Sequence, residues 1–265
     1  MSIASDIAAI RKEYAGQQKL KILTFDIETG PNIAYVWRLF KENIPLERFI
    51  EAGETLSISS KWYDKPDVEF LSNFHNGHED MIYQAWDLLD EADIVVHYNG
   101  DRFDIPRLNT EFAKLGLAPP SPYKSIDLYK VVRSRFALAS NKLAYALTFF
   151  GIGAKVKHSG FDLWTRCLAG DADAWEEMRI YNVGDVIGTE DLYTYIRSWI
   201  KNHPIVSPIA EGEVDVCTRC GSDNLTITSK NDRTPTFEYG TVVCLECGGW
   251  MREKQGTRIS NLRSL

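Results

Sequence analysis

The chain has 265 residues, 44% of them hydrophobic and 25% charged. That size accommodates one ordinary domain plus a smaller module, and that balance excludes a disordered or fibrous chain. The net charge of −7 argues against a non-specific coat for long duplex DNA, because such proteins are basic. Met1 to Lys21 is polar and mixed in charge, so no secretory leader is expected. The longest apolar run, near Leu143 to Ala154, contains Thr148 and two glycines and falls short of a membrane span. A cytoplasmic protein with no membrane partner is the expectation.

Ser2 to Gln18 reads as a helix with Ile3, Ile7 and Ile10 on one side. Lys21 to Phe25 is the first strand, and it runs into the acidic segment Phe25-Asp26-Ile27-Glu28-Thr29-Gly30. Alternation along a strand points Asp26 and Glu28 to one face and Ile27 into a core. Two adjacent carboxylates repel unless a cation lies between them, and Mg²⁺ or Mn²⁺ suits oxygen ligands. Taken alone, the same pattern also reads as a solvated turn. Pro31 to Ile50 is irregular to helical and carries Tyr35, Trp37, Phe40 and Phe49. Core or lid packing is the reading for those rings, with base stacking as the alternative.

Thr55 to Trp62 and Val68 to Phe74 are strands around a turn at Asp64 to Asp67, and His75 and His78 fall in an Asn/Gly-rich loop. Asp80 to Glu91 is an amphipathic helix with Ile82, Trp86 and Leu89 inward. The strand Ile94 to His97 leads into Tyr98-Asn99-Gly100-Asp101-Arg102-Phe103-Asp104. Asp101 is placed to cap the next helix, Pro106 to Leu115, which Gly116 ends. Ser125 to Leu128 is a short strand, and Leu143 to Phe150 an apolar helix with Gly151 near its end. Ala174 to Ile200 is one long helix or two joined, and within it Tyr181 and Asp185 share a face. Between Lys124 and His158 lie Lys124, Lys130, Arg133, Arg135, Lys142, Lys155 and Lys157 against Asp127 alone, net +6 (7 − 1). That stretch is the candidate for a phosphate backbone, with solvated helix faces as the alternative. Strands first, then strands alternating with helices, indicate an α/β sandwich.

Beyond Ile200 the composition changes. His203-Pro204, Pro208 and Glu211-Gly212-Glu213 mark a linker. Cys217-x2-Cys220-Gly221 and Cys244-x2-Cys247-Gly248 follow, with 23 residues between the pairs (244 − 220 − 1). Such turns bring two thiolates each to a tetrahedral ion, and the glycines permit the tight backbone. Asn224 to Thr228 and Pro235 to Val243 alternate like strands, so this segment looks like a zinc ribbon holding one structural Zn²⁺. Disulfides are the alternative, disfavoured in a cytoplasmic chain. Cys167 reads as a buried small hydrophobe.

Asp26/Glu28, then Asn99 with Phe103-Asp104, then Tyr181 with Asp185 resemble the three exonuclease motifs of the DEDD superfamily of 3′→5′ exonucleases. The order and spacing are similar to the tyrosine-type branch, which includes the proofreading domains of family A and B DNA polymerases. The histidine branch would need His where Ile180 stands, and His158 has the wrong spacing. The resemblance runs from about Lys21 to about Trp199. It implies a ribonuclease H-like mixed sheet of five strands flanked by helices, over residues 1–203. A linker at 204–214, the zinc ribbon at 215–251 and a basic tail at 252–265 complete the domain plan.

The resemblance further implies two Mg²⁺ or Mn²⁺ ions held by Asp26, Glu28, Asp104 and Asp185, with Tyr181 orienting the attacking water. Asn99 would bond backbone or substrate, Phe103 would pack behind the site, and Lys142 would contact substrate. The implied substrate is the 3′ end of single-stranded DNA, with RNA as the alternative. A non-catalytic nucleic-acid-binding or replication-docking protein working through the ribbon is the rival class. Within these 265 residues no polymerase domain is expected after the motifs, and the ribbon is foreign to the standard exonuclease domain. Stand-alone enzymes of this kind resemble products of bacteriophage or bacterial replication and repair loci, which would place one in a host cytoplasm with a DNA polymerase or replication protein as partner in trans.

Overall fold

The computed structural model describes residues 20–154, 156–206 and 215–262. The expected helix at Ser2 to Gln18, Lys155, linker residues 207–214 and Arg263 lie outside the described residues. Two compact units divide the chain, Lys21–Tyr193 and a second that includes Thr194–Leu265.

The first unit contains, in chain order, β1 (Ile22–Thr29), the short antiparallel pair β2 (Ile33–Ala34) and β3 (Phe49–Glu51), β4 (Thr55–Trp62), β5 (Glu69–Ser72), β6 (Ile94–His97) and β7 (Lys124–Asp127). Its helices are α1 (Asn73–Asn76), α2 (His78–Glu91), α3 (Asp104–Lys114), α4 (Leu128–Arg135), α5 (Leu143–Phe150), α6 (Phe161–Leu168) and α7 (Ala172–Ile196); α7 runs past the unit boundary at Tyr193 and is followed by a 3₁₀ turn at Arg197–Trp199 in the second unit. Five strands form one sheet in the order β5-β4-β1-β6-β7. The β1–β4 and β4–β5 pairs are antiparallel, and β1–β6 and β6–β7 are parallel. This is the expected mixed five-stranded sheet flanked by helices.

Helices on both faces explain why β1 is apolar almost throughout. Leu23, Phe25 and Ile27 point to one face and pack with Ile58 of β4, Met81, Ile82 and Leu89 of α2, and Leu108 and Phe112 of α3. Each such side chain contributes about 1.5–3 kcal/mol on burial, which anchors α2 and α3 to the sheet. A second cluster joins Leu163 and Cys167 of α6 to Trp175, Met178 and Tyr181 of α7. Cys167 is buried as expected, and burial pushes its thiol up to about 11. A Cβ on Gly188 of α7 would lie 2.8 Å from Leu147 of α5, so the glycine admits the close approach of those helices.

Several expectations change. The strand expected to reach Phe74 stops at Ser72, whose hydroxyl caps α1 by accepting from the His75 amide. His75 and His78 therefore sit on helices rather than in a loop, and His78 lies 3.4 Å from the Glu111 carboxylate. No element was assigned at α4 or α6, although solvated helix faces were one reading of the basic stretch that contains α4. Tyr35, Trp37 and Phe40 are not core: they are 71%, 87% and 83% exposed.

In the second unit, β8 (Leu225–Arg233), β9 (Phe237–Cys244), β10 (Trp250–Arg252) and β11 (Thr257–Arg258) form an antiparallel sheet with β9 paired to all three others. A register shift between Ile227 and Asn231 opens a concavity edged by Lys230, Trp250 and Arg252. No helix among the described residues is long and apolar enough to cross a membrane.

Candidate active site

The alternation of β1 turns Asp26 and Glu28 toward α7 while Ile27 enters the core. Asp185, carried by α7, closes the group: oxygens of Asp26, Glu28 and Asp185 all lie within 4.8 Å of one another. Three carboxylates so close repel, and a hard divalent cation is the natural relief. The donor set, all carboxylate oxygen, fits such an ion.

The position of Asp26 is set by a residue to which sequence reasoning gave no role. Asn182 is fully buried on α7. Its Nδ2 donates to Asp26 Oδ2 at 2.8 Å, and its Oδ1 accepts from the hydroxyls of Ser57 at 3.1 Å and Ser59 at 3.0 Å. Register places Ser59 opposite Asp26 and Ser57 opposite Glu28. Hydroxyl donors on one side and a carboxylate acceptor on the other fix the amide's orientation. The available signal was Ser57-Ile58-Ser59, two small polar residues alternating within an otherwise buried strand.

Asp104, the first residue of α3, stands outside the group of three. Its Oδ1 accepts from the Ile27 amide at 3.2 Å, so it holds the backbone between Asp26 and Glu28. Burial pushes its carboxyl up to about 6. An acid raised above its unfolded value of about 3.9 contributes stability that is complete below that value and lost as pH rises through about 6. In divalent-free buffer, wild-type Tm relative to Asp104→Asn should therefore fall between pH 4 and 6.5. Parallel Tm profiles for the two proteins would contradict this.

Asp101, expected to cap α3, does not: the cap position is Phe103, with no side-chain cap. Asp101 instead accepts from Ser125 at 2.5 Å and Lys130 at 2.6 Å and lies 3.2 Å from His97 Nε2. The His97 contact foremost, then Lys130 and Ser125, holds its carboxyl well below the usual range. Lys130, counted among the phosphate-binding candidates, is paired here. Asn99 has a left-handed backbone (φ 68°) and donates its amide to Asp127 Oδ1 at 3.0 Å. The Gly100 amide donates to His97 Nδ1 at 2.9 Å, and a Cβ on Gly100 would meet that ring at 2.6 Å. His97 and Asp127 thus shape the loop leading to Asp104. Phe103, expected to pack behind the site, is half-exposed because it precedes the first turn of α3 on the surface.

An open cleft of about 480 Å³ is bounded by Asp26 and Asp185 on one side and by Asn99, Arg102, Tyr129 and Lys142 on others. Arg102 is a further cleft cation not singled out by sequence. Tyr181 is buried, its ring 4.5 Å from that of His158 and 6.1 Å from that of Trp164. His158 was dismissed on spacing, yet folding returns it to the Tyr181 ring.

In the second unit the four Sγ atoms of Cys217, Cys220, Cys244 and Cys247 lie within 4.8 Å of one another. The Cys217–Cys247 and Cys220–Cys244 pairs are each 3.7 Å apart. A disulfide requires about 2.05 Å, whereas a tetrahedron with metal–sulfur bonds of about 2.3 Å has edges near 3.8 Å. Gly221 (φ 78°) and Gly248 (φ 70°) take left-handed backbones and return their amides to Cys217 and Cys244 carbonyls at 2.8 and 2.9 Å.

The DNA polymerase of Thermococcus litoralis is 33% identical over 104 residues, 38% of this chain and 6% of that protein. Protein NEN2 of Arabidopsis thaliana is 30% identical over 105 residues, 39% of this chain and 20% of that protein. The chain thus spans at most a fifth of these relatives' length. The structure of the family B DNA polymerase from Pyrobaculum calidifontis matches 68% of this chain and 25% of its own with a TM-score of 0.51 at 19% identity, a likeness of fold. The family model RNase_H_2 matches residues 50–197, beginning after β1. Since that match covers more than half of the chain and the sheet has the corresponding architecture, the chain belongs to the RNase H superfamily.

Proposed function

We propose that the protein is a metal-dependent 3′→5′ exonuclease of the tyrosine-type DEDD branch. It hydrolyses phosphodiester bonds at the 3′ ends of single-stranded DNA, releasing nucleoside monophosphates in replication or repair. The observation that carries this reading is the convergence of Asp26, Glu28 and Asp185 within 4.8 Å, with Asp26 and Asp185 on the wall of an open cleft. Asp26, Glu28, Asp104 and Asp185 would hold two Mg²⁺ or Mn²⁺, which when bound supply an acidified water and stabilise the leaving oxygen.

The chain's own residues do the rest. Asn182 keeps Asp26 pointed into the cleft, and Asp104 fixes the strand between the paired acids through the Ile27 amide. Tyr181 orients the attacking water; a phenol of pKa about 10 is a poor base, so positioning is its role. Lys142 and Arg102 line the cleft and offset phosphate charge, Asn99 bonds the terminal nucleotide, and exposed Phe103 offers a face to its base. The four cysteines would hold one structural Zn²⁺; with every position a thiolate, none is open for catalysis.

A time course on 5′-labelled single-stranded DNA and matching RNA tests the reading. With Mg²⁺ or Mn²⁺ the label should shorten stepwise from the 3′ end, faster on DNA, and chelation should stop it. Faster shortening of RNA would reassign the substrate. Intact label with retained binding would favour a docking protein acting through the ribbon.

A further inference from the structure

The segment between β1 and β4 is turned inside out. Glu42 accepts from the amides of Trp37 at 3.0 Å and Arg38 at 2.8 Å and ion-pairs with Arg48. The Tyr35 amide donates to the Arg48 carbonyl at 2.9 Å. Polar groups thus form the inside of this loop, while Tyr35, Trp37, Leu39 and Phe40 face water, the last three more than 80% exposed. Exposed apolar clusters of this kind mark contact surfaces, and nothing in the first unit's core uses these rings.

Charge indicates the occupant. From Tyr35 to Lys41 the charged residues are Arg38 and Lys41, both exposed and both cationic. The first acid beyond them, Glu42, is neutralised within the loop by Arg48. Aromatic faces interleaved with cations suit a single-stranded polyanion with unstacked bases. Continuity gives the direction: Tyr35 follows Glu28 by seven residues (35 − 28), at most about 25 Å of extended chain. We propose that Tyr35–Lys41 is a stacking platform for bases of the single strand whose 3′ end lies at the acidic cluster. The proposal rests on the nuclease reading.

The test measures binding of fluorescent oligothymidylates of 3 to 15 nucleotides, with Mg²⁺, to full-length protein in an Asp185→Ala background. Trp37→Ala/Phe40→Ala and Arg38→Ala/Lys41→Ala are compared with that parent. Stacking is worth about 1–3 kcal/mol per base, so the ring variant should bind the 15-mer at least about 30-fold more weakly. Its affinity should also stop rising with length. The cation variant should flatten the salt dependence by about 1.4 in log–log slope. The residues are exposed, so both variants should fold. Unchanged 15-mer affinity in the ring variant would overturn the platform; if that variant also lost self-association in sedimentation, a second copy would be the occupant. A parent that binds no oligonucleotide would instead overturn the nuclease reading beneath it.

Discussion

Asp185→Ala is expected to lower 3′-end hydrolysis about a thousandfold, some 4 kcal/mol of transition-state stabilisation, with the fold intact. Asp185 is 5% exposed and one of three carboxylates crowded within 4.8 Å. Its removal deletes a ligand and also relieves like-charge repulsion in the metal-free protein, so Tm without metal should not fall. Asp26→Ala should be as inactive but less clean, because it strips Asn182 of its 2.8 Å acceptor and leaves a buried donor poorly paired, costing about 1–3 kcal/mol. Asn182→Ala should retain all four acids yet lose about 10–100-fold, the usual effect of removing a residue that orients a ligand, with a matching rise in the Mn²⁺ needed for half-maximal binding by electron paramagnetic resonance. Single-turnover rates and Tm decide the set. Full activity in purified Asp185→Ala would sink the assignment of the site.

What the sequence made legible follows from the range of the forces involved. Strand alternation is local, so Ile22–Thr29 alone sufficed to place Asp26 and Glu28 on one face and Ile27 on the other. The i, i+4 relation of Tyr181 and Asp185 is equally local. Separating the roles of Asp101 and Asp104 was not a local matter. The decisive contacts of Asp101 are His97, Ser125 and Lys130, and that of Asp104 is the Ile27 amide, 77 residues away. Asn182 was illegible for the same reason: its hydroxyl partners lie 125 and 123 residues earlier. Trp37 and Phe40 misled in the opposite direction. Hydrophobicity reports a preference for burial, but the Glu42 network fills the inside of their loop with polar groups and leaves them out. The cysteine pairs were legible because each x2 turn, with its following glycine, is self-contained.

Those cysteines set the last expectation: removing the proposed zinc should unfold the ribbon and spare the sheet of the first unit. Between residues 215 and 262 the buried residues are Cys217, Thr241, Cys244 and Gly249. Among these described residues no large apolar side chain is buried to hold β8 to β11, and a module of this size cannot bury enough surface alone. A structural Zn²⁺ contributes about 10–16 kcal/mol in comparable modules, more than such a sheet can replace. Metal analysis should give one zinc per chain. Chelation, or Cys220→Ala, should then abolish amide-exchange protection across β8 and β9 while β1, β4 and β6 keep theirs. Cys220 is the choice because its sulfur sits 3.7 Å from Cys244 and burial pushes its thiol up in the metal-free protein. Without a metal that thiol stays protonated and holds nothing together. Protection in β8 and β9 that survives both treatments would mean the sheet stands without metal.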